Sequence, residues 1–322
     1  NTAADQFNWT YDGTSPTAAI TYAGAGGSPY KQGDTVTITA TFDEAVATTP
    51  KIAISGVSTI AATAMSGSGT TWTYDYVAPA GDGTETIALS AGTDASGNAV
   101  ASAPTSGATF TVDNTAPVLT AVTQVSTPSN TTTPSYVFTT TEAGTITTNI
   151  TEGFSTNASA ATGSNQTITF ATLGAGTYTG KTVTVTDTAG NAGSITMSDF
   201  VIDTTSPTAE ITYAGSGGSP YKQGDTVTIT ATFTEALTTT PKIAITGSGI
   251  ADVVATDMSV GNTTLIWTYT YAVPAGDGTG TISLSVGTDA SGNPITSAPT
   301  SGDEFTVDNT APTLEAVTQV PV

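Results

Sequence analysis

The side chains able to do chemistry in this chain are nearly all carboxylates, and they recur at fixed places. A short acidic joint ending in proline occurs four times, as Asp12–Pro16, Asp113–Pro117, Asp203–Pro207 and Asp308–Pro312. The second and fourth joints follow their Asp with Asn114 and Asn309. Beyond each of the first three joints comes a glutamate that closes an alternating apolar run: Glu44, Glu142 or Glu235. Later still comes a turn of the form Asp-x-x-Gly-Asn, carrying Asp94 with Asn98, Asp187 with Asn191, and Asp289 with Asn293. There is no His and no Cys, which removes imidazole bases, thiol nucleophiles, disulfides and the usual zinc or copper sites. What remains is oxygen chemistry. Carboxylate and amide oxygens, if the fold gathers them, are ligands for a hard cation.

The charge balance agrees. Five lysines and no arginine stand against 26 acids, a formal net charge of -21. Phosphate contacts need Lys and Arg, so nucleic acid and anionic membrane surfaces are disfavoured and cations are favoured as partners. No apolar run approaches the ~20 residues of a membrane helix, so no membrane insertion is expected. Charged residues are only 10% of the chain, leaving Thr, Ser, Asn and Gly to form the surface. A hydrophobic content of 37%, in dense β-branched runs, argues for folded cores rather than disorder.

The elements that position these residues read as strands. Ser15–Tyr22 returns as Ser206–Tyr213, an offset of 191, and Trp72–Tyr74 returns as Trp267–Tyr269, an offset of 195. The four extra residues are expected near Gly247–Val260. A different unit lies between the two copies, giving an order A, B, A of the kind expected of an array. The expected boundaries are 15–115 for A1, 116–204 for B and 205–310 for A2. Residues 1–14 are expected to close a preceding B-type unit, and 311–322 to open another, since Leu314–Val320 repeats Leu119–Val125. Within A1, period-two alternation predicts strands at Ala18–Tyr22, Thr35–Phe42, Lys51–Ser55, Ile60–Met65, Thr71–Val77, Thr84–Ala91 and Ala108–Val112. Within B it predicts Leu119–Val125, Tyr136–Thr140, Gly144–Ile150, Gln166–Ala171, Tyr178–Thr186 and Ser194–Ile202. About seven short strands per ~90–100 residues, with no helical period, describe an all-β chain of tandem Ig-like antiparallel β-sandwiches joined by short acidic, proline-containing linkers.

That topology places the incoming joint, the loop after the second strand and the loop after the sixth at one pole of each domain. Every domain then collects a joint Asp, a loop Glu and a loop Asp with its Asn. The expected metal-ligating set is Asp12, Glu44, Asp94 and Asn98; Asp113, Asn114, Glu142, Asp187 and Asn191; and Asp203, Glu235, Asp289 and Asn293. Asp308 is expected to serve a following domain. Clustered carboxylates repel one another, and a cation taking six to eight oxygens removes the conflict. Calcium suits an irregular loop shell better than magnesium does. Read alone, each Asp-x-x-Gly-Asn is also a good turn sequence. Asp34, Asp82, Asp225 and Asp277 are expected at the opposite pole, capping turns.

Three stretches resemble the bacterial Ig-like repeats of large adhesins and prokaryotic surface-layer proteins: Gln32–Glu44, Asp94–Asn98 and Phe110–Pro117. The resemblance implies an extracellular, cell-surface location, a structural role and calcium at domain junctions. It suits the stalk of an adhesin, a rod of repeats stiffened by Ca2+. It also suits a surface-layer or filament subunit that completes its neighbours by strand addition. A carbohydrate-binding module of a secreted enzyme would require an exposed aromatic platform. Trp72 and Trp267 are expected in the core, their neighbouring tyrosines exposed, and Lys31, Lys51, Lys222 and Lys242 solvated. Asn8, Asn130, Asn149, Asn157, Asn165 and Asn262 match the N-glycan acceptor pattern, so glycans join calcium and further Ig-like repeats as candidate partners. The chain is expected not to be an enzyme, because its acids repeat with the domains whereas catalytic groups occur once per site.

Overall fold

A computed structural model describes residues 10–24, 26–155 and 158–314. The chain divides into two compact units. One runs to Gln124 and adds Ser135–Thr169 and Lys181–Met197; the other takes Val125–Pro134, Phe170–Gly180 and the chain from Ser198 onward. No helix of the described residues is long and apolar enough to cross a membrane.

In the first unit, A1 forms two antiparallel sheets. One holds Ala18–Gly24, Thr35–Val46 and Ser66–Val77, with the second in the centre. The other runs Thr59–Ala64, Lys51–Ser55, Gly83–Ser90, Thr109–Val112. Alternation sends one face of each strand inward. Val36, Ile38, Ala40 and Phe42 meet Ile52, Ile54, Ile87, Leu89, Phe110 and Val112 in a single core. Each such burial contributes roughly 1.5–3 kcal/mol. Small pairs with large across the first sheet, where Ala40 faces Trp72. Around Phe110 sit Tyr22, Tyr30 and Tyr76, with ring centroids 5.0, 5.9 and 5.3 Å away. The same unit holds a three-stranded sheet of B, Gln166–Thr169, Ser135–Thr140 and Leu119–Thr123. A four-stranded sheet of B accompanies it, ordered Ser159–Ala160, Gly144–Thr148, Thr182–Thr186, Ala192–Thr196.

In the second unit, Gly176–Tyr178 pairs with Phe200–Ile202. A2 repeats the A1 arrangement. One sheet is Ala209–Gly215, Thr226–Phe233, Ile266–Ala272 and Ser259–Val260; the other is Val253–Asp257, Lys242–Ser248, Gly278–Ser285 and Glu304–Val307. Phe305 takes the place of Phe110, ringed by Tyr213, Tyr221 and Tyr271. The chain is a tandem array of Ig-like antiparallel β-sandwiches.

Several expectations change. The strand expected at Tyr178–Thr186 is interrupted where Gly180 turns to φ +60°, and the one expected at Ser194–Ile202 breaks between Thr196 and Phe200. Gln166–Ala171 ends at Thr169, and the two-residue strand Ser159–Ala160 has too little alternation to be read from sequence. Buried Met65 corresponds to buried Met258, an offset of 193, so two extra residues lie before Met258 and two between it and Trp267. Both tryptophans are buried, but so are Tyr76 and Tyr271, which were expected to be exposed. Residues 1–14, expected to close a preceding B-type unit, residues 311–322, expected to open another, and the acceptors Asn8 and Asn157 fall wholly or largely outside the described residues.

Candidate metal centre

The glutamates lie at or just beyond the end of the second strand's regular pairing: in B and A2 that strand stops at Thr140 and Phe233, two residues before Glu142 and Glu235. In A1 the pairing of Thr35–Val46 shifts register between Thr41 and Val46, and Glu44 lies in that bulge. Bulges re-aim side chains, and this one lifts Glu44 towards the joint. Its neighbour Asp43 accepts hydrogen bonds from the Thr17 backbone (2.8 Å) and hydroxyl (2.7 Å), tying the bulge to the first strand. Thr141 and Thr234 do the same through their hydroxyls in B and A2.

The loop aspartates are fixed by the turn that follows them. Asp94 Oδ1 accepts the backbone N–H of Ser96 (2.8 Å) and Asn98 (2.9 Å), and Gly97 takes φ +92°, where an L side chain would be strained. The Asn98 amide nitrogen donates both to Asp94 Oδ2 (2.8 Å) and to the backbone carbonyl of Asp12 (3.1 Å). Asn191 binds Asp187 and the Asp113 carbonyl in the same way, each at 3.0 Å. Asn293 binds Asp289 and the Asp203 carbonyl, each at 2.9 Å. Each joint Asp turns one carboxylate oxygen back to the N–H two residues on, as in Thr14, Thr115 and Thr205.

Three triads result: Asp12–Glu44–Asp94, Asp113–Glu142–Asp187 and Asp203–Glu235–Asp289. In each, one carboxylate oxygen from every member lies within 4.8 Å of the other two. Two oxygens on opposite sides of one calcium are ~4.8 Å apart at ~2.4 Å per bond, so a single ion can touch all three. Crowding shows in the protonation equilibria. Desolvation, then the charges of Asp12, Asp94 and Asp43, push Glu44 above the ordinary glutamate range. Glu142 is raised by desolvation, by Asp113 and Asp187, by a hydrogen bond with Asp187, and by Asp82. Glu235 is raised by desolvation and by Asp203 and Asp289. Asp94 goes the other way: burial pushes it up, but the Asn98, Ser96 and Gly97 hydrogen bonds bring it below its usual value. Among the described residues no lysine forms a salt bridge with a triad; the pair found is Lys242 with Asp257, 3.0 Å apart across two strands. Among the described residues, three carboxyl groups with no lysine paired to them form an oxygen donor set that fits a divalent metal.

The asparagines expected as ligands are held through their amide groups. Asn98, Asn191 and Asn293 staple the loop Asp to the joint backbone through their amide nitrogens. Asn114 is turned away from the triad altogether, its amide donating to the carbonyls of Gly81 and Pro79. Asp308 caps its own turn at Thr310 and belongs to no carboxylate triad among the described residues. Sequence reasoning missed Ser96 and Ser291, whose hydroxyls reach Asp12 Oδ2 (3.5 Å) and Asp203 Oδ2 (3.1 Å). Their shared place in Asp-Ala-Ser-Gly-Asn, filled by Ala189 in B, was the available signal. The Lys31 amine, expected in solvent, donates to the Gly190 carbonyl in the B loop (3.1 Å).

No protein-family model matches the sequence, nor does any curated protein. Among solved structures, the chain is similar to the fibronectin(III)-like modules of CbhA from Clostridium thermocellum. That match has 12% identity, covers 60% of this chain and 94% of that one, and has a TM-score of 0.26. It is also similar to the FN1–FN3 domains of chicken CNTN1, at 9% identity over 91% and 99% of the chains, with a TM-score of 0.24. A third likeness, at 13% identity over 93% and 71% of the chains with a TM-score of 0.19, is to SGBP-B of the Bacteroides ovatus mixed-linkage glucan utilization locus, solved with a mixed-linkage heptasaccharide. The superpositions are loose, and nothing those proteins bind transfers with them.

Proposed function

We propose that this chain is an extracellular structural module, part of an adhesin-like stalk, whose domain joints are stiffened by calcium at the three triads. The observation that carries the reading is the recurrence. The same Asp–Glu–Asp set assembles three times from a joint and two loops, with the same asparagine staple each time. A bound divalent cation would supply the positive charge that lets three carboxylates stay together. The chain's own residues do the rest. The end of the second strand presents the Glu, through a bulge in A1, the Asp-x-x-Gly-Asn turn locks the loop Asp, and the staple ties that Asp to the incoming joint. In A1 and A2 the tryptophans are buried, which leaves the strands Ser66–Val77 and Ile266–Ala272 without the aromatic platform a sugar-binding reading needs.

Titration calorimetry of the whole chain with calcium tests this. Three binding events are expected, and the paired change Asp113→Asn with Asp187→Asn should remove one. Heat no different from buffer dilution would overturn the reading.

A further inference from the structure

The joints leaving A-type domains are built differently from the joint leaving B. Asn114 is held by A1 from every side. Its N–H donates to Asp82 Oδ1 (2.5 Å), its amide donates to the Gly81 and Pro79 carbonyls, and its Oδ1 accepts the N–H of Gln32. The next residue adds a bond from its hydroxyl, Thr115 Oγ1 to Asp82 Oδ2. The same knot recurs in A2, where Asn309 and Thr310 bind Asp277, Gly276 and Gln223. The hydrogen bonds hold Asp82 and Asp277 below the ordinary aspartate range, in keeping with carboxylates serving as fixed acceptors. B lacks both halves of the knot. Thr204 stands where A-type joints have Asn, and the turn from Leu173 to Gly176 contains no acid. Asp203 is held there through its backbone, its own Asx-turn and the Ser291 hydroxyl on its Oδ2 (3.1 Å).

We infer that Asn114 and Asp82 are positioning residues that hold the A1–B joint without a cation, whereas the B–A2 joint depends on its cation. This rests on the calcium reading for its second half only. The physical reason is the number of constraints: five hydrogen bonds fix the two residues immediately after Asp113, so Asp113 is presented to Glu142 and Asp187 already oriented. Asp203 has no such anchor following it. The cross-joint contacts do not supply a knot. Besides the asparagine staple that both joints share, the first has Lys31 to Gly190, and the second has the Asn130 N–H to the Ser291 carbonyl and the Ser291 hydroxyl to Asp203 Oδ2. None of these fixes the residues that follow the joint Asp.

Because the chain has no native cysteine, spin-label pairs can be placed cleanly on the full-length protein. Ala62→Cys with Thr145→Cys reports A1–B, and Thr145→Cys with Thr232→Cys reports B–A2. In excess EGTA the A1–B distance distribution should stay as narrow as in calcium, while the B–A2 distribution broadens. Asn114→Ala or Asp82→Ala should abolish that narrowness in EGTA, and calcium should restore it. Asp277→Ala, the same lesion in A2, should change neither distribution, which separates positioning from general loss of stability. The inference is overturned if Asn114→Ala leaves the A1–B distribution in EGTA unchanged, or if both wild-type joints broaden alike. A B–A2 distribution indifferent to EGTA, with the Asn114→Ala effect intact, would overturn the calcium half and leave the knot standing.

Discussion

At the scale of single residues, the glutamates of the triads carry opposite consequences for protons and for metal. A carboxyl raised in the folded state holds more protons there than in the unfolded chain at the same pH. Stability contributed by that difference is lost as pH rises through the raised range. For Glu44, Glu142 and Glu235 the cation-free protein should therefore gain stability as pH falls from neutrality towards the ordinary glutamate value near ~4.3. The lowered Asp94 and Asp203 oppose this only below the usual aspartate range. Calcium affinity should fall over the same interval, because metal and proton compete for the same oxygens. Melting in EGTA and calcium titration, each at several pH values, read the two trends. A second prediction concerns the staple. Asn191→Ala leaves all three carboxylates in place yet should weaken binding at that joint by about 10–100-fold, as outer-shell changes do. The triad members were legible in sequence because repeats align them. The role of the asparagines was not, since an amide offers both an oxygen and a nitrogen and spacing does not say which one is used.

At the scale of elements, A1 and A2 solve one packing problem in two ways. Glu85 points inward on the strand Gly83–Ser90, in step with Ile87 and Leu89, and is fully buried. Its Oε1 accepts the Tyr76 hydroxyl (2.6 Å) and both the N–H and hydroxyl of Ser58 (2.9 Å each). A2 has Gly280 at that position and fills the space with the Phe305 ring and Ile250. Glu85→Ala should destabilise A1 by about 2 kcal/mol, because Tyr76 and Ser58 lose their acceptor. Amide exchange resolved to A1 is the readout, with A2 as internal reference. The same strand is followed by Ala91 at φ +64°, and its A2 counterpart by Val286 at φ +75°. A β-branched, largely exposed residue in that conformation stores strain of about 1–2 kcal/mol. Val286→Gly should therefore raise the melting temperature of A2, the relief of strain outweighing glycine's own entropic cost of roughly 0.5–1 kcal/mol. Alternation made the A-domain strands legible to within a few residues. It failed in B where a single glycine and three residues after Thr196 interrupt runs whose residue types remain strand-like. The parity of Glu85 with Ile87 and Leu89 was also in the sequence, but an inward acid is credible only once its three donors are seen.

At the scale of the whole molecule, a formal charge of -21 on a chain with five lysines makes each joint a place where like charge accumulates. Most of those acids are dispersed over surfaces, where salt screens them within ~10 Å. The triads are not screened in this way, because their oxygens are closer together than any hydrated counterion layer. Cations bound there would couple neighbouring domains, and the asymmetry between A-type and B-type exits would make that coupling uneven along the array. Small-angle scattering of the intact chain, with parallel melting curves in calcium and in excess EGTA, measures the coupling most directly. Calcium-driven narrowing of the accessible domain arrangements, together with a higher melting temperature, is the expected result. Superimposable scattering and an unchanged melting temperature in EGTA would contradict it.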